Sequence, residues 1–105
     1  MRDLGKYKGI IPAFYACYGE DGEVSPERVQ ALTQYFIDKG VKGLYINGSS
    51  GEGYMLTEEE RMKLAEAWIA AAPKDFKVIV HVGSCCVKAS KMMAEHAQKI
   101  GAWGI

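Results

Sequence analysis

Gly43-Leu44-Tyr45-Ile46 is a short apolar run, followed by Gly48-Ser49-Ser50-Gly51-Glu52-Gly53 and then by Thr57-Glu58-Glu59-Glu60. The run has the length and aliphatic content of a buried strand. The glycine-serine stretch breaks it. Thr57 with Glu60 three residues on is a capping box, so a helix opens there. That helix is expected to run to about Ala72 and to stop before Pro73. Leu64, Ala65, Trp68, Ile69 and Ala72 give it one apolar face. The segment therefore reads as strand, glycine-rich turn, helix.

The same unit recurs on both sides. Upstream, Gly9-Ile10-Ile11-Pro12-Ala13-Phe14-Tyr15 reads as a first strand, with Pro12 marking a bulge or an unpaired position because it lacks an N–H. A polar turn with Gly19, Asp21 and Gly22 follows. Ser25-Pro26-Glu27 then opens a helix: serine caps, proline takes the first helical position, and the acid faces the positive end of the dipole. Val29, Leu32, Phe36 and Ile37 form its apolar stripe, and Lys39-Gly40 is its stop. Downstream, Val78-Ile79-Val80-His81-Val82 reads as a third strand. A third helix is expected from about Lys88 to Ile100, with Ala89, Met93, Ala97 and Ile100 on one side. Gly101-Ala102-Trp103-Gly104-Ile105 reads as the approach to a fourth strand.

The order is β-α-β-α-β-α-(β). Near-continuous apolar strands joined by helices imply an α/β fold with a parallel sheet covered on at least one face. An open doubly-wound sheet and a (β/α)8 barrel both fit. A complete barrel needs about 250 residues, and the chain has 105. Residues 1–105 are therefore expected to be one partial domain, the front end of a larger protein.

Composition limits the function. Hydrophobic residues make up 49% and charged residues 25%, which is globular composition. Thirteen Lys+Arg stand against thirteen Asp+Glu. That balance argues against a basic nucleic-acid binder and a polybasic membrane segment. No apolar run approaches the roughly 20 residues of a membrane helix. No secretory signal opens the chain. Three cysteines, two of them adjacent, make no disulfide framework, and a reducing cytoplasm is the expected setting.

Ligands in either architecture bind at the carboxyl ends of the strands. Three segments qualify: Tyr15 to Tyr18, Asn47 to Tyr54 and Gly83 to Lys88. The middle one is the most informative. Gly48 and Gly51 flank two hydroxyls, and exposed amides beside hydroxyls cradle a carboxylate or phosphate. An ordinary polar turn is the plain alternative. The stretch is not a P-loop, because Tyr54 stands where the lysine must follow, and its G-x-x-G-x-G spacing is not the dinucleotide fingerprint.

Gly48-Ser49-Ser50-Gly51-Glu52 after Gly43-Leu44-Tyr45-Ile46 resembles the G-[ST]-[ST]-G-E signature of the N-acetylneuraminate lyase/dihydrodipicolinate synthase family. Leu56-Thr57-x-x-Glu60-Arg61 is similar to that family too. So is Val78-Ile79-Val80-His81-Val82-Gly83, especially to its neuraminate-lyase branch. The resemblance covers about Tyr7 to Ile105 and matches the family's N-terminal third. It implies the first three βα units and the start of the fourth strand of a TIM barrel. It implies a class I aldolase in which a lysine forms a Schiff base with pyruvate and a tyrosine shuttles protons. Ser49 and Ser50 would hold the pyruvate carboxylate, and Ser49 would also join the proton relay. Gly48, Gly51 and Glu52 would shape the loop, with Glu52 accepting from loop or helix N–H groups. The resemblance further implies a small 2-oxo acid as ligand, no cofactor, and a homo-oligomeric parent, commonly a tetramer.

The sequence departs from the family in three places. The Schiff-base lysine and the catalytic tyrosine would lie beyond Ile105. A lysine suited to that role wants a buried strand end. Lys77 is at the wrong end of the third strand, and Lys88 opens a helix. The family's frequent Thr-Pro after the first strand is Ala16-Cys17 here, and a threonine common after the third strand is Val87. A 105-residue chain with the cradle but without the nucleophile is expected to be inactive.

Other candidates have plain readings. His81 reads as a satisfied interior histidine, and His96 as a packing or surface residue. Cys17, Cys85 and Cys86 with His81 lack the spacing of a metal site, so no metal is expected. Met92, Met93 and Trp68 read as core or interface residues. The leading expectation is the N-terminal part of a sialic-acid aldolase, releasing N-acetylmannosamine and pyruvate. A dihydrodipicolinate synthase-type aldolase, a stand-alone anion-binding module, and a subunit completed by a complementary chain are the alternatives.

Overall fold

The computed structural model of the chain describes residues 2–105. Helix α1 spans Pro26–Asp38, α2 spans Glu58–Ala71 and α3 spans Val87–Ile100. Strand β1 is Gly43–Ile46 and β2 is Lys77–Val80, paired in parallel with Leu44 opposite Val78 and Ile46 opposite Val80.

The helix boundaries follow from local chemistry. Ser25 caps α1 by accepting from the Arg28 amide, with Pro26 at the first helical position. Gly40, at φ 79°, takes the left-handed conformation just past its end. Thr57 and Glu60 form the reciprocal capping box of α2. The Glu60 carboxylate accepts from the Thr57 amide at 2.7 Å, and the Thr57 hydroxyl accepts from the Glu60 amide at 3.2 Å. Gly101, at φ 90°, closes α3.

The sheet is smaller than the sequence suggests. The expected first strand, Gly9 to Tyr15, makes only one parallel bridge, between Ala13 and Tyr45. Phe14 donates to the Tyr45 carbonyl and Tyr45 to the Pro12 carbonyl. Pro12 has no N–H to extend the ladder, and Gly9 at φ 117° turns away from extended geometry. The expected third strand ends at Val80 rather than Val82. Its partner ends too, because Asn47 adopts φ 62° and leaves the sheet. On the far edge, Ile79 bridges Gly104, the approach to the expected fourth strand. Four parallel segments thus lie side by side in chain order, two as strands and two as single bridges.

All three helices belong to the covered side of this sheet. Leu44, Ile46, Val78 and Val80 are buried there with Val29, Leu64, Ala65, Trp68 and Ala97. Phe14 closes the cluster, its ring edge-on to Phe36 at 4.4 Å and to Trp68 at 5.2 Å. The alternate residues, Tyr45 and Ile79, are only half-buried, and Ala13 is exposed. The sheet is therefore covered on one face only. A short 3-10 turn, Gly5–Tyr7, lies at the amino end of β2: Lys77 Nζ donates to the Lys6 carbonyl, and Tyr7 meets Trp103 edge-on.

Candidate active site

The loop after β1 is built by backbone constraints. Asn47 and Glu52 both take left-handed φ, 62° and 58°, and reverse the chain twice. The Gly48 carbonyl accepts from the Gly51 and Gly53 amides at 3.1 and 3.0 Å. Gly51 passes so close to the preceding segment that a Cβ there would sit 2.3 Å from the Phe14 carbonyl oxygen. At Gly53 a Cβ would meet the Asn47 carbonyl oxygen at 1.9 Å. Any side chain at either position would push the loop off the strand ends.

This folding leaves Ser49 and Ser50 exposed at the tip. Among the described residues, neither serine amide is engaged in a backbone hydrogen bond. Two adjacent free amides and two hydroxyls thus face outward at the carboxyl end of β1, a geometry suited to an anionic oxygen pair. Glu52 is half-buried. Burial pushes the Tyr18 pKa up, and the nearby charge of Glu52 pushes it further.

His81 continues β2 past its last paired residue, and its amide donates to the Ile46 carbonyl at 3.0 Å. Its Nδ1 lies 3.1 Å from the Asn47 carbonyl oxygen. Arg61 Nη2 lies 3.4 Å from the same nitrogen; the shorter contact, to a carbonyl that only accepts, forms with the ring proton on Nδ1, and in that tautomer Nδ1 takes no hydrogen bond from Arg61. The ring meets Tyr45 and Tyr54 edge-on, with centroids 5.9 and 6.1 Å away. His81 is thus a hydrogen-bonded, half-buried residue that ties the third segment to the serine loop. His96 stands apart, with Nε2 2.7 Å from Glu66 on the neighbouring helix.

The residue that sequence reasoning missed is Arg61. It sits in the first turn of α2 and is 5% exposed. Its Nη1 donates to the Gly83 carbonyl at 2.9 Å and its Nη2 to the His81 carbonyl at 2.7 Å. Asn47 Nδ2 in turn donates to the Arg61 carbonyl at 3.0 Å. Burial pulls the Arg61 pKa down, opposed by Glu58, Tyr54 and Tyr45, yet a guanidinium remains a cation at any working pH. Arg61 thereby joins the two loops, its side chain holding the loop after β2 and its carbonyl accepting from Asn47 of the loop after β1. The sequence signal was the Glu60-Arg61 pair following the capping threonine.

The cysteines do not converge on a metal. Cys17 is buried, whereas Cys85 and Cys86 are exposed at the start of α3. Among the described residues, no group of three or more His, Cys, Asp or Glu side chains is placed to hold a metal ion. Nor is any helix of the described residues long and apolar enough to cross a membrane.

The sequence model of the dihydrodipicolinate synthetase family matches residues 6–105, and the chain belongs to that family. Within it, the N-acetylneuraminate lyase of Mediterraneibacter gnavus is 50% identical over 101 residues, covering 96% of this chain and 32% of that protein. A catalytic lysine mutant of the Ruminococcus gnavus sialic acid aldolase superposes with a TM-score of 0.92 at 50% identity, over 97% of this chain and 33% of that one. YagE, a prophage protein of the dihydrodipicolinic acid synthase family from E. coli K12, solved in complex with pyruvate, gives 0.86 at 31% identity, over 91% and 32%. The chain spans about a third of the length of the curated relatives it matches.

Proposed function

We propose that this chain is the N-terminal third of a class I, pyruvate-dependent aldolase that cleaves N-acetylneuraminate into N-acetylmannosamine and pyruvate. The single observation that carries this reading is the outward-facing Ser49-Ser50 pair, with both amides free at the carboxyl end of β1. It gains support from the 50% identity to a neuraminate lyase and from pyruvate bound in a structural neighbour.

The chemistry assigns the loop a defined task. An amine condenses with the keto group of a 2-oxo acid only if carbon and nitrogen are held in line. Ser49 and Ser50 would fix the carboxylate through their amides and hydroxyls, so that the neighbouring keto carbon meets a lysine. The Ser49 hydroxyl would also pass protons to a tyrosine. That lysine and tyrosine belong to later strands of a closed (β/α)8 barrel, of which these residues supply the first three βα units and the start of the fourth strand. The 105-residue chain alone would therefore be inactive, and its parent would be a homo-oligomer. A dihydrodipicolinate synthase-type aldolase would share the pyruvate half of the site. The choice of aldehyde rests with residues outside this chain.

The test is reductive trapping. The intact protein from its source, incubated with pyruvate and borohydride, should gain one covalent adduct at a lysine beyond Ile105. It should also release pyruvate from N-acetylneuraminate. An adduct on a lysine of the isolated 105-residue chain, or none on the intact protein, would overturn the reading.

A further inference from the structure

The buried polar cluster beneath the serine loop has two unmatched atoms. Arg61 and Asn47 are 5% and 2% exposed. Both Nη groups of Arg61 and the Nδ2 of Asn47 have carbonyl partners. The orientation of the Asn47 amide is settled by that last contact, because the Arg61 carbonyl can only accept. Left over are Arg61 Nε, a donor, and Asn47 Oδ1, an acceptor, each buried and without a partner.

Both residues line the same small cavity, together with His81, His96 and four apolar side chains. The space open to the centre of a water-sized sphere is about 10 Å³. A buried donor or acceptor without a partner is destabilising, so two in one cluster call for an occupant. The volume decides which. It admits one water molecule and excludes a phosphate, a carboxylate or any organic ligand. One orphan group gives a hydrogen and the other takes one, and a single water can serve both.

We infer that one buried water molecule is bound here, accepting from the Arg61 Nε–H and donating to Asn47 Oδ1. It completes the clamp between α2 and the residue that directly precedes Gly48-Ser49-Ser50. The serine pair is thereby held through a water as well as through direct bonds. This inference does not depend on the proposed reaction.

A high-resolution crystal structure of the intact protein tests it directly. The expected result is a solvent peak about 2.7–3.2 Å from both Arg61 Nε and Asn47 Oδ1. In solution, the Arg61 Nε–H should show magnetisation transfer from a slowly exchanging water. Arg61→Met, which has no Nε–H, should lose the peak; the wild-type measurement stands even if that variant fails to fold. An empty cavity, or Nε and Oδ1 paired with each other or with other protein groups, would overturn the inference.

Discussion

Ser49 and Ser50 owe their availability to a neighbour. The Gly48 carbonyl engages the amides of Gly51 and Gly53, so the loop closes on itself without using either serine amide. If these groups hold a carboxylate, each charge-assisted hydrogen bond is worth about 1.5–3 kcal/mol. In the intact protein, Ser50→Ala should then lower kcat/KM by about 10- to 100-fold, with most of the change in KM for the 2-oxo acid. Ser49→Ala should also depress kcat, because its hydroxyl has a second task. Steady-state kinetics of the two variants separates these outcomes. The cysteines give a test that needs no activity. Burial pushes the Cys17 thiol up, with Arg28 pulling it back only in part, while Cys85 and Cys86 are exposed. Under native conditions a small alkylating reagent should label Cys85 and Cys86 and spare Cys17 until denaturant is added, as peptide mass spectrometry would show. At this scale the loop was legible in the sequence because glycines and serines act through their own backbone. Arg61 was not: a cation on a helix normally marks solvent, and its carbonyl partners lie 20 and 22 residues away.

Helices α1 and α2 carry their own start signals, which is why their first residues were readable. The Thr57-Glu60 box also makes α2 sensitive to acid. Hydrogen bonds from the Thr57 backbone and then its side chain hold the Glu60 carboxyl below the usual glutamate range. A folded-state pKa below the unfolded one means stabilisation that is complete above the unfolded value and lost as pH falls through the folded value. Thermal melting against pH should therefore show an acid limb that flattens in Glu60→Gln, since glutamine keeps a cap but does not titrate. A limb of unchanged slope would assign the acid sensitivity to other carboxyls. Trp68 tests the packing of the same helix. It is fully buried and holds Phe14, hence the first segment, against the core. Trp68→Ala should cost about 3–5 kcal/mol, a large share of a small domain's stability, measured in the intact protein as a lower urea midpoint. The strands were less legible than the helices. Pairing is decided by a partner: Pro12 marked the interruption of the first segment, but the turn at Asn47 that ends β1 and β2 together is not written in one strand's own residues.

Across the whole molecule, one face of the sheet is packed and the other is open. Tyr15, at 63% exposure, stands beside half-buried Tyr45 and Ile79. Such a surface is uncommon in a protein that works as a monomer. The isolated 105-residue chain should bind a hydrophobic dye and sediment as open-ended aggregates, whereas the intact protein should leave the dye dark and sediment as one defined oligomer. A dye-silent monomer of 11.6 kDa would instead favour the alternative of a self-sufficient module. The succession of βα units was legible from the hydrophobic pattern alone; how the open face is covered was not, because none of the described residues covers it.

The packing of the three helices has one more consequence, concerning time rather than space. α1 packs on α2, α2 on α3 and β1 on β2, so each element meets the next like element made after it. A ribosome releases a chain in that same order. Contacts between sequence neighbours close quickly, whereas distant ones wait on long loops. The clamp from Arg61 to Gly83 can therefore be set once about a hundred residues have emerged. The serine loop would be shaped before the residues it is meant to serve have been synthesised.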